Sequence, residues 1–327
     1  MDIQTVFTVL TILAAIGVGW SIGANDAANS MGTAVGARVV TLRQAIIQIS
    51  IFGLLGALLQ GHYVTATIGK GIVPLQRLDP LMATQIALVA TFSSCLWVAL
   101  ATYFKMPIST SHSIVGAVAG AGLAVAAPIY WKVLGNVFIC WMLTPVGAAI
   151  LGFIIYHIVK QIFARWISPR IATPLLRVLI LVSGWYVAFS WGANDVANAV
   201  GLVSGAGIMS PFACILLGGL AIVFGIVTWG SRVIETIGSN ITNLLPTMAF
   251  SAQLASALNV NLYTLLGVPV STSHSIVGAI FGVGLVRGVK VINLGIMKEI
   301  VTCWVATPFI SGILSFLALK LIRAFVH

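Results

Sequence analysis

Apolar runs of about 20 residues recur along the 327-residue chain, each interrupted by Gly, Pro or a charged residue. An α-helix needs about 20 such residues to cross a bilayer, so the chain has room for roughly ten to twelve membrane segments. Charged residues make up 7% of the sequence, whereas soluble domains carry about 25%. The sequence therefore predicts an all-α integral membrane protein. It excludes a soluble enzyme and a protein whose partner is nucleic acid.

Several landmarks occur twice, in the same order. GANDAANSMG at 23–32 matches GANDVANAVG at 192–201 (the GAND motifs), and PISTSHSIVGA at 107–117 matches PVSTSHSIVGA at 269–279 (the STSH motifs). TIGKGI at 67–72 returns as TIGSNI at 236–241, and Cys-Trp-x-x-Thr-Pro begins at both Cys140 and Cys303. This order predicts two homologous transmembrane repeats within one transport domain. The predicted repeats are 1–165 and 166–327, with a short basic linker at 160–177.

Each repeat offers five long apolar segments, so the second repeat is expected to be inverted relative to the first. Broken or re-entrant helices are expected among these segments. They lie near 3–22, 42–61, 81–104, 108–127, 133–158, 175–191, 211–230, 248–268, 270–286 and 300–322. With the N-terminus outside, eleven of the 16 Lys and Arg residues fall on the cytoplasmic side, as membrane proteins prefer.

The GAND motifs place carboxylates at membrane depth. Asp26 and Asp195 each cost roughly 2.5 to 3.5 kcal/mol there, and neither motif contains a Lys or Arg to neutralise them. Amides four residues apart share a helix face in both motifs: Asn25 with Asn29, and Asn194 with Asn198. The opening glycines, Gly23 and Gly192, are expected to weaken the helix and free backbone carbonyls. These oxygens predict a site for Na⁺ or H⁺, with Asp26 and Asp195 as candidate Na⁺ ligands. Hydrogen bonding between helices is the structural alternative.

The STSH motifs point to anion chemistry. Pro107 and Pro269 favour helix starts, where unpaired backbone N–H groups carry about half a positive charge. Hydroxyl donors follow at Ser109, Thr110, Ser111, Ser271, Thr272 and Ser273. Ordinary helix capping is the alternative. Possible cavity-lining residues, with hydrogen-bonded structural roles as the alternative, are His112, His274, Gln85 and Gln253.

Two GAND and two STSH motifs together resemble the inorganic phosphate transporter (PiT) family of secondary carriers, over nearly the whole chain. The resemblance implies symport of phosphate with Na⁺ or H⁺ through an inverted repeat. It implies phosphate contacts from the six hydroxyl residues with Asn25 and Asn194, and coupling-ion contacts from Asp26, Asn29, Asp195 and Asn198. Members of the family often carry glutamates near Gln253 and Gly53, which are absent here, so the coupling ion stays open.

A phosphate anion entering between two carboxylates is repelled until cations bind, which independently favours ion-coupled import by alternating access around a midplane site. A sulfate permease on the same scaffold is the alternative. Phosphate is favoured because its O–H groups can donate to a carboxylate. The expectation is a multi-pass carrier in the plasma membrane, in contact with the lipid bilayer and able to form homo-oligomers, with no catalytic activity and no cofactor besides the coupling ion.

Overall fold

The computed structural model of the protein describes residues 2–36, 38–104, 106, 108–231, 245–286 and 294–326. The repeated segment at 236–241 lies outside these residues. Within them the chain forms ten α-helices: α1 (Ile3–Gly36), α2 (Leu42–Ala66), α3 (Pro80–Tyr103), α4 (Thr110–Ala124), α5 (Trp131–Arg165), α6 (Pro169–Gly205), α7 (Pro211–Gly225), α8 (Pro246–Leu265), α9 (Thr272–Leu285) and α10 (Leu294–Val326). A wider π-helical turn extends α2 over Thr67–Gly71 and α7 over Ile226–Gly230.

Seven helices in the described part of the chain are long and apolar enough to cross a membrane: α1, α2, α3, α5, α6, α7 and α10. The α4 and α9 helices have 15 and 14 residues, or about 21 to 23 Å, which is short of the roughly 30 Å hydrocarbon core. Their length fits the broken or re-entrant segments that the sequence predicts. The all-α membrane fold is confirmed.

Equivalent helices of the two repeats run in opposite directions. Arg38 has φ 55° and the Val39 N–H donates to Ala34 O, which forms a left-handed cap that turns the chain between α1 and α2. α2 then runs parallel to α6, because Gly61 faces Val196 and, further along, Gly69 faces Gly205. Since α2 reverses the direction of α1, α1 and α6 are antiparallel, and the second repeat is inverted.

Both GAND motifs lie inside unbroken helices, α1 and α6. A methyl group on Gly23 would overlap the carbonyl oxygen of Ile222 on α7, and one on Gly192 would overlap that of Gly53 on α2. The expectation that these glycines loosen the helix and free its carbonyls is wrong. They instead let two helix backbones approach closely, as small residues do in membranes.

The two repeats interlock through their short helices. α4 packs on α10, where Gly116 meets the carbonyl of Pro308, and α9 packs on α5, where Gly278 meets that of Pro145. Each short helix therefore packs against a long helix of the other repeat. Two lateral groups result, α3 with α4 and α10, and α8 with α9 and α5, on either side of a core of α1, α2, α6 and α7.

Candidate functional site

A serine caps each short helix at its start. The Ser109 Oγ accepts a hydrogen bond from the His112 N–H at 3.3 Å, and the Ser271 Oγ accepts one from the His274 N–H at 3.2 Å. The sequence suggested that Pro269 lies in the first turn of the helix. In the structure it precedes the capping residue Ser271, and Pro107 lies outside the described residues. Ordinary capping thus accounts for Ser109 and Ser271, and it leaves the next hydroxyls of each helix free for other partners.

Asp26 of the first GAND motif contacts both STSH motifs. Its side chain is buried and is hydrogen-bonded by the side chains of Thr110 on α4 and Ser273 on α9. One turn later, Asn29 Nδ2 donates to Ser273 Oγ at 3.1 Å. The first GAND motif therefore lies where the starts of the two short helices meet.

Asp195 of the second GAND motif has an equivalent arrangement. Thr272 Oγ1 donates to its Oδ2 at 3.3 Å, and Asn198 Nδ2 lies 3.2 Å from its Oδ1. The Asn198 Nδ2 also lies 3.0 Å from Ser111 Oγ and 3.5 Å from Thr110 Oγ1. The Asn198 Oδ1 is buried and has no hydrogen-bond partner in the described structure, so it is an available oxygen ligand.

These contacts define one largely buried group, here named the GAND–STSH cluster. Its members are Asp26, Asn29, Thr110, Ser111, Asp195, Asn198, Thr272 and Ser273. The two carboxylates lie close enough to repel each other. Since no Lys or Arg is a hydrogen-bond partner in the described cluster, a bound cation or a proton has to balance this charge. Carboxylate and amide oxygens suit Na⁺, whereas the described residues contain no group of three His, Cys, Asp or Glu for a transition metal.

Asn194 and Asn25 are placed differently from each other. Asn194 is fully buried; its Nδ2 donates to Thr264 Oγ1 at 2.9 Å and to Val268 O at 3.3 Å, and its Oδ1 accepts from the Val270 N–H at 3.2 Å. These bonds fix the segment before α9. Asn25 is half-buried, one residue before Asp26.

Both glutamines are buried. Gln253 accepts from Ser183 Oγ at 2.8 Å and donates to Ser30 O at 3.2 Å, between α8, α6 and α1. Gln85 is buried in the second turn of α3. His112 and His274 lie directly behind the hydroxyls, against Trp141 and Trp304. Sequence reasoning did not place these tryptophans at the site, although the repeated Cys-Trp-x-x-Thr-Pro pattern was a signal for them.

A model of the phosphate transporter family matches residues 22–315. The chain belongs to the phosphate transporter family. A protein of Thermococcus kodakarensis named as a phosphate permease is 32% identical, over 98% of this chain and 99% of that protein. The chloroplastic inorganic phosphate transporter 2-1 of Arabidopsis thaliana is 29% identical, over 91% of this chain and 69% of its own.

One solved structure, described as the sodium-dependent phosphate transporter, has a TM-score of 0.88 and 29% identity to this member of the phosphate transporter family. The match covers 98% of this chain and 100% of that one. Family membership and the seven apolar helices confirm the family expected from the sequence and a multi-pass membrane protein. Proteins of this family are transporters, not enzymes.

Proposed function

We propose that this protein imports inorganic phosphate across the plasma membrane by symport with Na⁺, and that both bind in the GAND–STSH cluster. The observation that carries the proposal is the crossed hydrogen bonding, in which Asp26 and Asn198 each contact hydroxyls of α4, and Asp26, Asn29 and Asp195 contact those of α9. The two copies of each motif thus contribute to one shared site, rather than to two separate ones.

Ion binding comes before anion binding, or with it. Like charges about 4 Å apart repel by about 4 kcal/mol at an effective dielectric constant of 20, so two carboxylates oppose a third negative charge. Na⁺ lowers that repulsion, and the free Asn198 Oδ1 with the carboxylate oxygens of Asp195 provides it with ligands. The similarity to a structure described as sodium-dependent supports Na⁺ over H⁺ as the main coupling ion.

The anion is held by hydroxyl and backbone N–H donors at the starts of α4 and α9. Two helix N-termini face one site, and each carries a partial positive charge without a fixed cation. Phosphate is preferred to sulfate because HPO₄²⁻ and H₂PO₄⁻ can also donate to Asp26 or Asp195, whereas SO₄²⁻ has no proton to donate.

Transport in proteoliposomes tests the function. A Na⁺ gradient imposed without a pH gradient should drive radiolabelled phosphate to a higher concentration inside, and sulfate uptake under the same gradient should be at background. Phosphate uptake driven by a pH gradient in the complete absence of Na⁺ would replace Na⁺ with H⁺ as the coupling ion. Concentrative sulfate uptake would overturn the proposed preference for phosphate over sulfate.

The anion contacts are tested by binding titrations at saturating Na⁺. Each lost bond to a charged ligand is worth about 1.5 to 3 kcal/mol, so Ser111→Ala and Ser273→Ala should each weaken phosphate binding by about tenfold or more. The exposed Lys70 provides a control, and Lys70→Gln should leave binding unchanged. If the serine variants bind normally and the lysine variant does not, the anion is held by a cationic site instead.

A further inference from the structure

Four buried rings stack directly behind the GAND–STSH cluster. The centroids of the His112 and His274 rings are 4.5 Å apart. His112 stacks on Trp141 at 3.7 Å, and His274 stacks on Trp304 at 3.5 Å. We name these four residues the ring stack. It joins the two lateral helix groups, because α4 and α10 contribute His112 and Trp304 while α9 and α5 contribute the other pair.

Two prolines leave backbone carbonyls without a helical partner, and the histidines contact these carbonyls. Pro145 and Pro308 lie inside α5 and α10, four residues after Trp141 and Trp304. A proline has no N–H, so the carbonyl four residues earlier has no helical partner. These are the carbonyls that the histidines contact: His112 Nδ1 lies 3.0 Å from Trp304 O, and His274 Nδ1 lies 3.5 Å from Trp141 O.

The carbonyls fix the tautomer of both rings. A carbonyl oxygen can only accept, so Nδ1 carries the hydrogen in each histidine, and Nε2 of the neutral ring is a bare lone pair. Both Nε2 atoms are buried, and neither has a hydrogen-bond partner in the described structure. Unpaired buried acceptors are rare in native proteins. Two of them on rings in mutual contact indicate a site that binds something small.

We propose that His112 and His274 form a proton site that takes up one proton from the medium when phosphate binds, with a new N–H bond at Nε2 of one ring. This inference rests on the proposed function and deepens it, since it adds a proton to the Na⁺ that is transported with phosphate. One proton binds, and not two, because two charged rings 4.5 Å apart would repel each other.

The surroundings of the pair favour a charged ring once the anion is present. Each imidazole lies against the face of an indole, which attracts a cation, and each Nδ1–H already has a carbonyl acceptor. His112 directly follows Ser111, and His274 directly follows Ser273, so an anion at these helix starts lies within one turn of both rings. Its charge provides the partner that a buried cation needs.

The other titratable groups near the pair come from the core helices α1 and α6 and from α5 and α10. α1 and α6 contribute Asp26 and Asp195, which reach the pair through Thr110, Ser273 and Thr272. α3 and α8 face the short helices with the neutral groups Ser94 and Asn259. α5 and α10 contribute the thiols of Cys140 and Cys303. In the described part of α5 and α10, the nearest cations to Trp141 and Trp304 are Lys132 and Lys298, at least six residues away, or about 9 Å.

Proton uptake measured during phosphate binding tests the proposal. Purified protein in weakly buffered solution at saturating Na⁺ is titrated with phosphate, and the protons taken up per phosphate bound are counted. The double variant His112→Asn/His274→Asn should take up one proton fewer than wild type. Any protons that phosphate itself gains or loses on binding are the same for the wild type and the variant, so they cancel in the comparison. His157→Asn provides the matched control, because His157 is exposed on α5, and should equal wild type.

A second variant avoids changing the rings. Pro145→Ala/Pro308→Ala restores a backbone N–H to each helix. This N–H competes with the histidine for the Trp carbonyl, so the hydrogen is no longer held on Nδ1. The variant should lose at least half of the additional proton uptake. The ¹⁵N spectrum of histidine-labelled wild type should show one ring becoming doubly protonated when phosphate is added, and this signal should be missing in His112→Asn/His274→Asn.

The outcomes separate the two proposals. Phosphate binding with equal proton counts in wild type and the histidine double variant, or with all imidazoles unchanged in the ¹⁵N spectrum, overturns the proton site and leaves Na⁺-coupled transport standing. Failure of the wild type to bind phosphate at saturating Na⁺ overturns both.

Discussion

Asn25 and Asn194 hold equivalent positions in the two GAND motifs, yet their surroundings differ. Asn194 is fully buried and makes three hydrogen bonds to α8 and the segment before α9, whereas Asn25 is half-buried. The residue that matches Thr264 in the first repeat is Thr102, and both hydroxyls donate to a carbonyl of their own helix, Thr264 to Val260 O at 2.9 Å and Thr102 to Val98 O at 2.8 Å. Thr264 additionally accepts from the Asn194 amide. The motif therefore does not determine the environment of its amide.

In the second repeat the segment before α9 is tied to a neighbouring helix at this point. Thr67 Oγ1 at the end of α2 donates to Gly267 O at 2.6 Å, so α2 secures the segment that covers Asn194. A carrier that works by alternating access needs its two ends to differ at any moment, and inverted repeats provide that by adopting unequal conformations. The comparison teaches that the two repeats share the chemistry of the cluster while the surroundings of Asn25 and Asn194 differ. Four predictions test this.

The largest effect is expected where the repeats are equivalent. Asp26→Asn and Asp195→Asn should each reduce concentrative phosphate uptake about 100-fold or more, because each removes the one fixed negative charge of its motif and with it about 3 kcal/mol or more of cation binding. Proteoliposome uptake measures this, and thermal unfolding of the purified variants checks folding. Full Na⁺-driven uptake by either folded variant would exclude that carboxylate from coupling.

The next effect should differ between the repeats. Asn194→Ala leaves buried donors and acceptors unpaired and should lower the free energy of unfolding by about 2 to 3 kcal/mol. Asn25→Ala, with its half-buried amide, should lower it by less than about 1 kcal/mol. Denaturant unfolding in detergent compares the two variants. Equal losses would mean that Asn25 becomes as enclosed as Asn194, and the asymmetry would then not be a property of the free protein.

The packing of the short helices α4 and α9 should be equally sensitive to substitution in the two repeats. Gly116→Ala and Gly278→Ala place a methyl group against the carbonyls of Pro308 and Pro145, and each should destabilise the protein by about 1 to 3 kcal/mol. Gly135→Ala on α5, with nothing within 4 Å of the new methyl group, provides the control and should be neutral or stabilising. Markedly unequal losses for the first two variants would show that the lateral groups are not equivalent.

The smallest effect concerns the helix caps. Ser109→Ala and Ser271→Ala each remove one cap from a short helix and should lower the free energy of unfolding by about 1 kcal/mol. They should weaken phosphate binding less than Ser111→Ala and Ser273→Ala do. The reverse order in the binding titrations would place the capping hydroxyls in contact with the anion.

Much of the fold could be predicted from the sequence because bilayer thickness and duplication are strong constraints. The apolar runs predicted the helices, and five segments per repeat predicted inversion. The ends were less predictable: the first run was expected to stop near residue 22, but α1 continues to Gly36. A buried polar motif such as GAND reads as an interruption of the apolar pattern, although its backbone stays helical when other helices supply the polar partners.

The members of the cluster could be predicted because all of them lie in the GAND and STSH motifs. Which of them hydrogen-bond to each other could not be predicted. That Asn198 contacts α4 rather than α9 depends on the interlocked packing of two chain segments about 87 residues apart. The separate role of Asn194 depends on Thr264, which belongs to neither motif. Gln253 was expected to be able to face the cavity because of its position before STSH, yet it accepts a hydrogen bond from Ser183 on α6 and donates one to Ser30 O on α1.

The packing of α4 on α10 also sets an order for assembly during synthesis. Gly116 and Gly120 dock on Pro308 and Gly312, so the ribosome must add almost 200 further residues before α4 finds its partner. At about 5 to 20 residues per second this takes roughly 10 to 40 seconds. Throughout that interval the newly inserted first repeat holds a short helix with uncovered ends in the bilayer. Until α10 has been synthesised, α4 of the nascent chain therefore needs the insertion machinery or other membrane helices as neighbours.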